Sequence, residues 1–383
     1  MNSQVVIITI DEPDIQAIGQ FPIPDAILAE AITSIAQYQP RLIGLDIYRD
    51  FAVEPGHDEL VRVFRQTPNL IGIEKAVSPS ISPPAVLAED DRIGFADQIF
   101  DLDGTVRRAL LSIEDTDGQL KLSFPLKLAS MYLAEENIVP QPLPENPDVI
   151  RFGKQVLKPF QAYDGGYVRA DAGGYQVLLN YTGTQAQFST FSLTQLLANQ
   201  VPMTALQDRI VLIGSTASTV NDVLITPYTR QFTGYMAGVT VHANTVSLLL
   251  NAALEGRPLL RVWPKSVEMI WIFVWTATGA VMAGRLRRSP RMTAVAVGMG
   301  GAILLGSAYG LFLAHWWIPV IPAGMGLIMA AVTVPVVTSR QLERMILEKT
   351  TGSLLRKTYS NPAVAQIAIA YLKQSENEKI KFG

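Results

Sequence analysis

Between Glu268 and Arg340 the only charged side chains are Arg285, Arg287, Arg288 and Arg291. A run this long with so few charges has few stable ways to fold. The hydrocarbon core of a bilayer is about 30 Å thick and takes roughly 20 apolar residues per helix, and a charge at mid-span costs about 3 kcal/mol. Three spans fit the block, at 267–283, 292–314 and 318–339, within a membrane region of 265–339. The alternative, three long buried helices of a soluble protein, fits the pattern less well. The Arg-rich turn after the first span and the basic residues Arg340, Arg344 and Lys349 after the third are expected on the cytoplasmic side. Three is odd, so the large region before the block, residues 1–258, is expected to be extracytoplasmic and the tail, 340–383, cytoplasmic. That describes a multi-pass protein of the cell (inner) membrane. All five tryptophans lie between positions 263 and 317, and Trp263, Trp316 and Trp317 stand where an outer aromatic belt requires them.

Outside the block the sequence is ordinary globular chain. A net charge of −3 and the lack of a Lys/Arg run away from the membrane flanks argue against nucleic acid as a partner. With no cysteine there is no disulfide, thiolate metal site or cysteine nucleophile. The chain runs from Met1-Asn2-Ser3-Gln4 straight into Val5–Ile10 without a basic n-region or a long h-region, so an upstream span is expected in the natural protein.

Val5–Ile10 is a β-branched run of buried-strand type, broken by Asp11-Glu12-Pro13-Asp14. Apolar residues at Ile27, Leu28, Ala31, Ile32 and Ile35 predict a helix from Asp25, as N-cap, to about Tyr38. Residues 41–45 predict a second strand ending at Asp46. The pattern repeats with a helix over 57–66, a strand over 69–73 and Glu74 at its end. Further strands are expected over 106–113, 176–181 and 210–213, and helices over 123–135 and 242–254. The proline-rich 140–147 reads as a surface connection. Alternating strands and helices predict an α/β domain with a mainly parallel sheet, followed by an all-α three-helix membrane block and a short helical tail. Helical stretches are expected at 341–349 and from Ser360 to about Leu372.

Asp11, Asp46 and Glu74 each end a predicted strand, and open α/β sheets bind ligands at the carboxyl ends of their strands. If they converge, the three acids can hold a hard cation or a cationic ligand, although acids also follow strands as turn formers and caps. Gly214-Ser215 can cradle an anion if a helix starts directly after it; a plain glycine turn is the simpler reading. Asp101-Leu102-Asp103-Gly104 lacks the glutamate that would complete a calcium loop and reads as a turn. Arg107 and Arg108 then point to opposite faces of the strand, one of them partnered. The three histidines have no metal-ligand spacing, and His242 and Asn244 suit capping or packing better than catalysis. Gly306 and Gly310 allow close helix approach, for a homodimer or for the chain's own helices.

Taken in order, Val6-Ile7-Ile8-Thr9-Ile10-Asp11, Phe21-Pro22, Leu42-Ile43-Gly44-Leu45-Asp46, Ile93-Gly94-Phe95, Asp101–Arg108, Asn180-Tyr181, Ile210–Gly214, Asp222, Thr226-Pro227 and Gly238–Asn244 resemble the second type of CHASE domain. This is a sensory extracellular module associated with cyclases and histidine kinases. Phe21 and Asp25 stand where the family often has tryptophan and arginine. The resemblance implies a leading span, an extracytoplasmic sensor, three spans and a cytoplasmic effector such as a cyclase or kinase. It supplies no ligand. Candidate ligand-binding residues are therefore Asp11, Asp46, Glu74, Asp103, Arg107, Arg108, Gly214, Ser215, Asp222, His242 and Asn244, with no catalytic residue, metal ligand or cofactor called for. The expected partners are membrane lipid, a small-molecule or protein signal, a cytoplasmic effector and a second copy of the chain. The rival readings are a membrane-tethered, metal-dependent hydrolase and a structural scaffold.

Overall fold

The computed structural model describes residues 4–115, 117–229, 234–286, 289–358, 366–367 and 370–371. The chain divides into two compact units, Met1–Arg261 and Val262–Gly383.

The first unit holds, in chain order, β1 (Val5–Ile10), β2 (Leu42–Asp46), β3 (Leu70–Glu74), β4 (Ile93–Phe95), β5 (Arg108–Glu114), β6 (Leu120–Leu122), β7 (Gln141–Leu143), β8 (Asn146–Phe152), β9 (Gln155–Leu157), β10 (Tyr175–Leu178), β11 (Ser189–Ser192) and β12 (Ile210–Ser215). Six of these form a parallel sheet in the order β11-β1-β12-β2-β3-β4. Alternate residues of β1 enter different cores, which explains its unbroken apolar run. Val5 and Ile7 pack with Phe124, Leu128, Val239 and Val246, from the Phe124–Ala134 and Gly238–Leu250 helices. Val6, Ile8 and Ile10 pack with Leu28, Ile32, Ile35, Leu60 and Phe64, from the Asp25–Gln37 and His57–Gln66 helices. The sheet is covered on both sides, as the mainly parallel reading expects.

Four expectations change. The acid-proline segment ends β1 but also opens a helix, Glu12–Ile18, capped by Asp11 in a capping box with Asp14. Asp14 also accepts bonds from Thr194 N at 2.9 Å and Leu193 N at 3.3 Å. Asp25 is not an N-cap: Pro24 holds that position. Its buried carboxylate instead turns to Arg49 Nε at 3.2 Å and His57 Nδ1 at 2.8 Å. An available guanidinium outcompetes capping, because a buried carboxylate is stable only with a paired cation. The proline-rich connection is ordered as β7-β8-β9, an antiparallel sheet, with Pro142 at a register shift where a missing N–H does no harm. β11, with one apolar residue in four, was not expected at all and closes the sheet as an edge strand.

In the second unit three helices, Lys265–Leu286, Pro290–Leu313 and Val320–Thr358, are long and apolar enough to cross a membrane. Ile270, Phe273, Ile303, Leu305, Ile321 and Met325 are all exposed on them, as lipid-facing side chains must be. The first and third helices meet where Gly279 faces the Leu327 backbone and Gly326 faces Thr276. Gly298, Gly301, Gly306 and Gly310 of the second helix face open space, so packing within the chain does not account for the Gly306–Gly310 pair. The third helix continues past Arg340 without a break, taking in the expected 341–349 stretch. Arg287, Arg288 and most of the stretch expected from Ser360 onward lie outside the described residues.

Candidate functional site

The carboxyl ends of β1, β12 and β2 lie side by side, with Gly214 paired to Asp46 and to Thr9 and Ser215 paired to Ile10. Gly214 and Ser215 are thus strand residues, not a turn, and no α-helix follows directly: a three-residue 3-10 turn, Ser218–Val220, comes next. The anion-cradle expectation is corrected because the parallel ladder has already engaged this backbone. Gly214 is small for a packing reason, since a Cβ there would come 2.6 Å from Val239 Cβ.

The three strand-end acids do not converge. Asp11 is engaged at its helix N-terminus. Glu74 is paired with Lys121 Nζ at 2.9 Å. Asp46 is left buried, 9% exposed, with no hydrogen-bond partner on Oδ2. Among the described residues no group of three or more His, Asp or Glu is placed to hold a metal ion.

Asp103, Arg107 and Arg108 belong to a separate network. Both arginines are partnered, where one was expected, because they share Asp101: Arg107 Nη1 lies 2.7 Å from Oδ2 and Arg108 Nη2 3.0 Å from Oδ1. Arg107 also pairs with Asp103 at 2.8 Å and holds that carboxyl well below the usual carboxylate range. Arg108 further donates to Gln176 Oε1 at 2.7 Å and lies over the rings of Phe160 and Tyr167. With so many donors and acceptors matched, this network fastens residues 160–176 onto β5. Asn244 is equally committed. Its Oδ1 accepts from Thr182 N and Gly183 N, and its Nδ2 donates to Gly183 O and Thr240 O.

Asp46, Asp222 and His242 do come together. His242 Nε2 lies 3.7 Å from Asp46 Oδ1 and 3.3 Å from Gln98 Nε2. Because an amide nitrogen only donates, the imidazole Nε2 accepts, and the proton of the neutral ring sits on Nδ1, where it has no partner. Phe124 meets the ring edge-on at 5.4 Å. Asp222 lies against the first residue of the Gly238–Leu250 helix: a Cβ on Gly238 would come 2.5 Å from its Oδ1. Its negative charge therefore sits at the positive end of a helix dipole.

Burial pushes the Asp46 carboxyl up to about 7. Burial first, and then the Asp46 charge, raise Asp222 to about 6, with His242 pulling it back. Burial lowers His242 to about 4 against the attraction of Asp222. Burial also raises Tyr48, helped by the charges of Asp46, Asp97 and Asp222, which places that phenol among the three carboxylates. Perturbed groups gathered at the carboxyl end of a parallel sheet mark a functional-site candidate.

Tyr48, Asp97 and Gln98 join this cluster without having been anticipated. Asp97 and Gln98 follow β4 as Asp46 ends β2, so extending the strand-end rule to Ile93–Phe95 would have found them. A family model described as the CHASE2 domain matches residues 1–281. No curated protein and no solved structure matches the chain.

Proposed function

The chain belongs to the CHASE2 domain family, a family of sensory extracellular domains, and from this premise we propose that it is a membrane receptor whose first unit perceives a signal at the Asp46–Asp222–His242 cluster and passes it through three spans to a cytoplasmic effector. Residues 1–258 form the extracytoplasmic sensor, 265–339 the spans and 340–383 the cytoplasmic tail. The basic residues Arg285, Arg291, Arg340, Arg344 and Lys349 support this orientation, because positive flanks are retained on the cytoplasmic side. The open glycine face of the second helix supports a dimer.

One observation carries the reading above the others. Asp46 and His242 are buried polar groups with unused hydrogen-bonding atoms, at the strand ends where α/β folds bind ligands. A group that is costly to bury and not used for packing is suited to favouring one of two states. The third helix, unbroken from Val320 to Thr358, is the continuous element along which such a bias reaches the tail.

Removing the Asp46 charge therefore mimics a change of state. In the full-length chain in nanodiscs, Asp46→Asn is expected to change amide hydrogen exchange over residues 342–358 by at least about threefold. A change confined to the first unit contradicts transmission.

A further inference from the structure

The Gly238–Leu250 helix carries His242 of the candidate site, and all thirteen of its residues are buried, so the core holds it along its whole length. Its continuation is built differently. Asn251–Glu255 form a π-turn, in which Gly256 N donates to Asn251 O and the turn holds one residue more than an α-helical turn. Arg257 N donates to the same carbonyl at 3.1 Å. Residues 257–264 follow, and the first span opens at Lys265.

The turn between β8 and β9 grips this π-turn. Lys154 N donates to Ala253 O at 3.0 Å, and Gln155 Nε2 donates to Gly256 O at 2.6 Å. Gly153, at a φ of +59°, lies so close that a Cβ there would come 2.5 Å from Ala253 O and 2.8 Å from Ala253 Cα. Behind the grip, Phe152 and Leu157 are rooted in the same core cluster as Ala252 and Ala253. In an α-helical continuation Glu255 N would take over Asn251 O, and Arg257 N would turn to Ala253 O, the carbonyl that Lys154 now holds. Everything after the turn would then shift by one residue, which is about 100° around the helix axis and about 1.5 Å along it. The two arrangements are discrete, and the β8–β9 turn favours the π form.

We propose that the β8–β9 turn is a latch on Asn251–Glu255, and that release of this π-turn into α-helical register is the step by which the first unit moves the chain entering the first span. The proposal rests on the sensory reading and adds its moving part. Site and latch share one element, since Asn251 lies about two and a half helical turns beyond His242. A helix clasped throughout its length relieves a change at His242 at its C-terminal end, where Glu255 is already exposed.

The chain has no cysteine, so the latch can be fastened covalently without competing thiols. A Cβ on Gly256 would lie 3.5 Å from Lys154 Cβ, within the range a disulfide spans. The experiment uses the full-length chain in nanodiscs, cysteine-free and with K154C and G256C together, each with and without Asp46→Asn. Amide hydrogen exchange over residues 342–358 is read before and after oxidation. The two thiols are expected to join on mild oxidation. Asp46→Asn is expected to change exchange by at least about threefold in the reduced protein and by less than about 1.5-fold in the oxidised one, with the larger effect returning on reduction. Each protein is its own control, so the comparison does not depend on how the substitutions affect folding. If oxidation makes no difference to the effect, the latch is overturned and the sensory reading stands on the response of the cysteine-free chain. If that chain is also unresponsive, both fall. Thiols that fail to join overturn the latch by contradicting its geometry.

Discussion

Replacing Arg108 by alanine is expected to destabilise the first unit by about 3–5 kcal/mol, while Arg107→Ala costs about 1 kcal/mol or less, as read from urea unfolding of the full-length chain. The two arginines are sequence neighbours and share Asp101, so the difference lies in burial. The Arg108 side chain is 3% exposed and its Asp101 partner 7%. Without the guanidinium, Asp101 keeps Arg107 and the Tyr167 hydroxyl but loses the two bonds from Arg108 Nε and Nη2. Gln176 Oε1 loses its bond from Arg108, and the rings of Phe160 and Tyr167 lose the cation they flank. Arg107 is 34% exposed, as is Asp103 at 37%, and water replaces much of what their pair provides. Arg108→Lys is not expected to rescue, because an ammonium cannot reproduce the planar fork that reaches Asp101, Gln176 and the Asp171 carbonyl together.

Gly94→Ala is the second large effect, expected at about 2–3 kcal/mol by the same measurement. A Cβ there would lie 2.5 Å from Phe124 Cα and 2.7 Å from Phe124 N, so the obstacle is the backbone of the Phe124–Ala134 helix, which no rotamer change relieves. Gly44 is a contrast on the same face of the sheet. Its nearest atoms are side-chain carbons of Leu212, Phe124 and Leu128, at 2.7 to 3.0 Å, and these can rotate. Gly44→Ala is accordingly expected to cost less than Gly94→Ala. The reverse order would mean that β4 does not pack on that helix as described.

The central strands were legible because burial on both faces writes a run of apolar residues: Val5–Ile10, Leu42–Leu45 and Ile210–Ile213 need no partner to be recognised. β11 left no such mark, since Ser189-Thr190-Phe191-Ser192 is half-buried at an edge and depends on β1 for its place. β8 is mostly exposed, and only its first two residues, Asn146 and Pro147, fell within the expected surface connection. The spans were legible from charge exclusion alone. The Asp46 cluster was only partly so. Asp46, Asp222 and His242 could each be singled out, but their meeting depends on a fold that brings together Gln98 and His242, 144 residues apart. Asp25 was misread because an acid before a helical pattern looks like a cap, and its true partner Arg49 lies beyond the next strand.

Orientation underlies the whole account, and the chain's lack of cysteine makes it directly measurable. Leu102 and Glu343 are both exposed, in the first unit and beyond the third span respectively. With the full-length chain in intact cells, a membrane-impermeant maleimide is predicted to label L102C at once and E343C only after permeabilisation. Labelling of E343C but not L102C in intact cells, or of both alike, would contradict an extracytoplasmic sensor joined to a cytoplasmic tail.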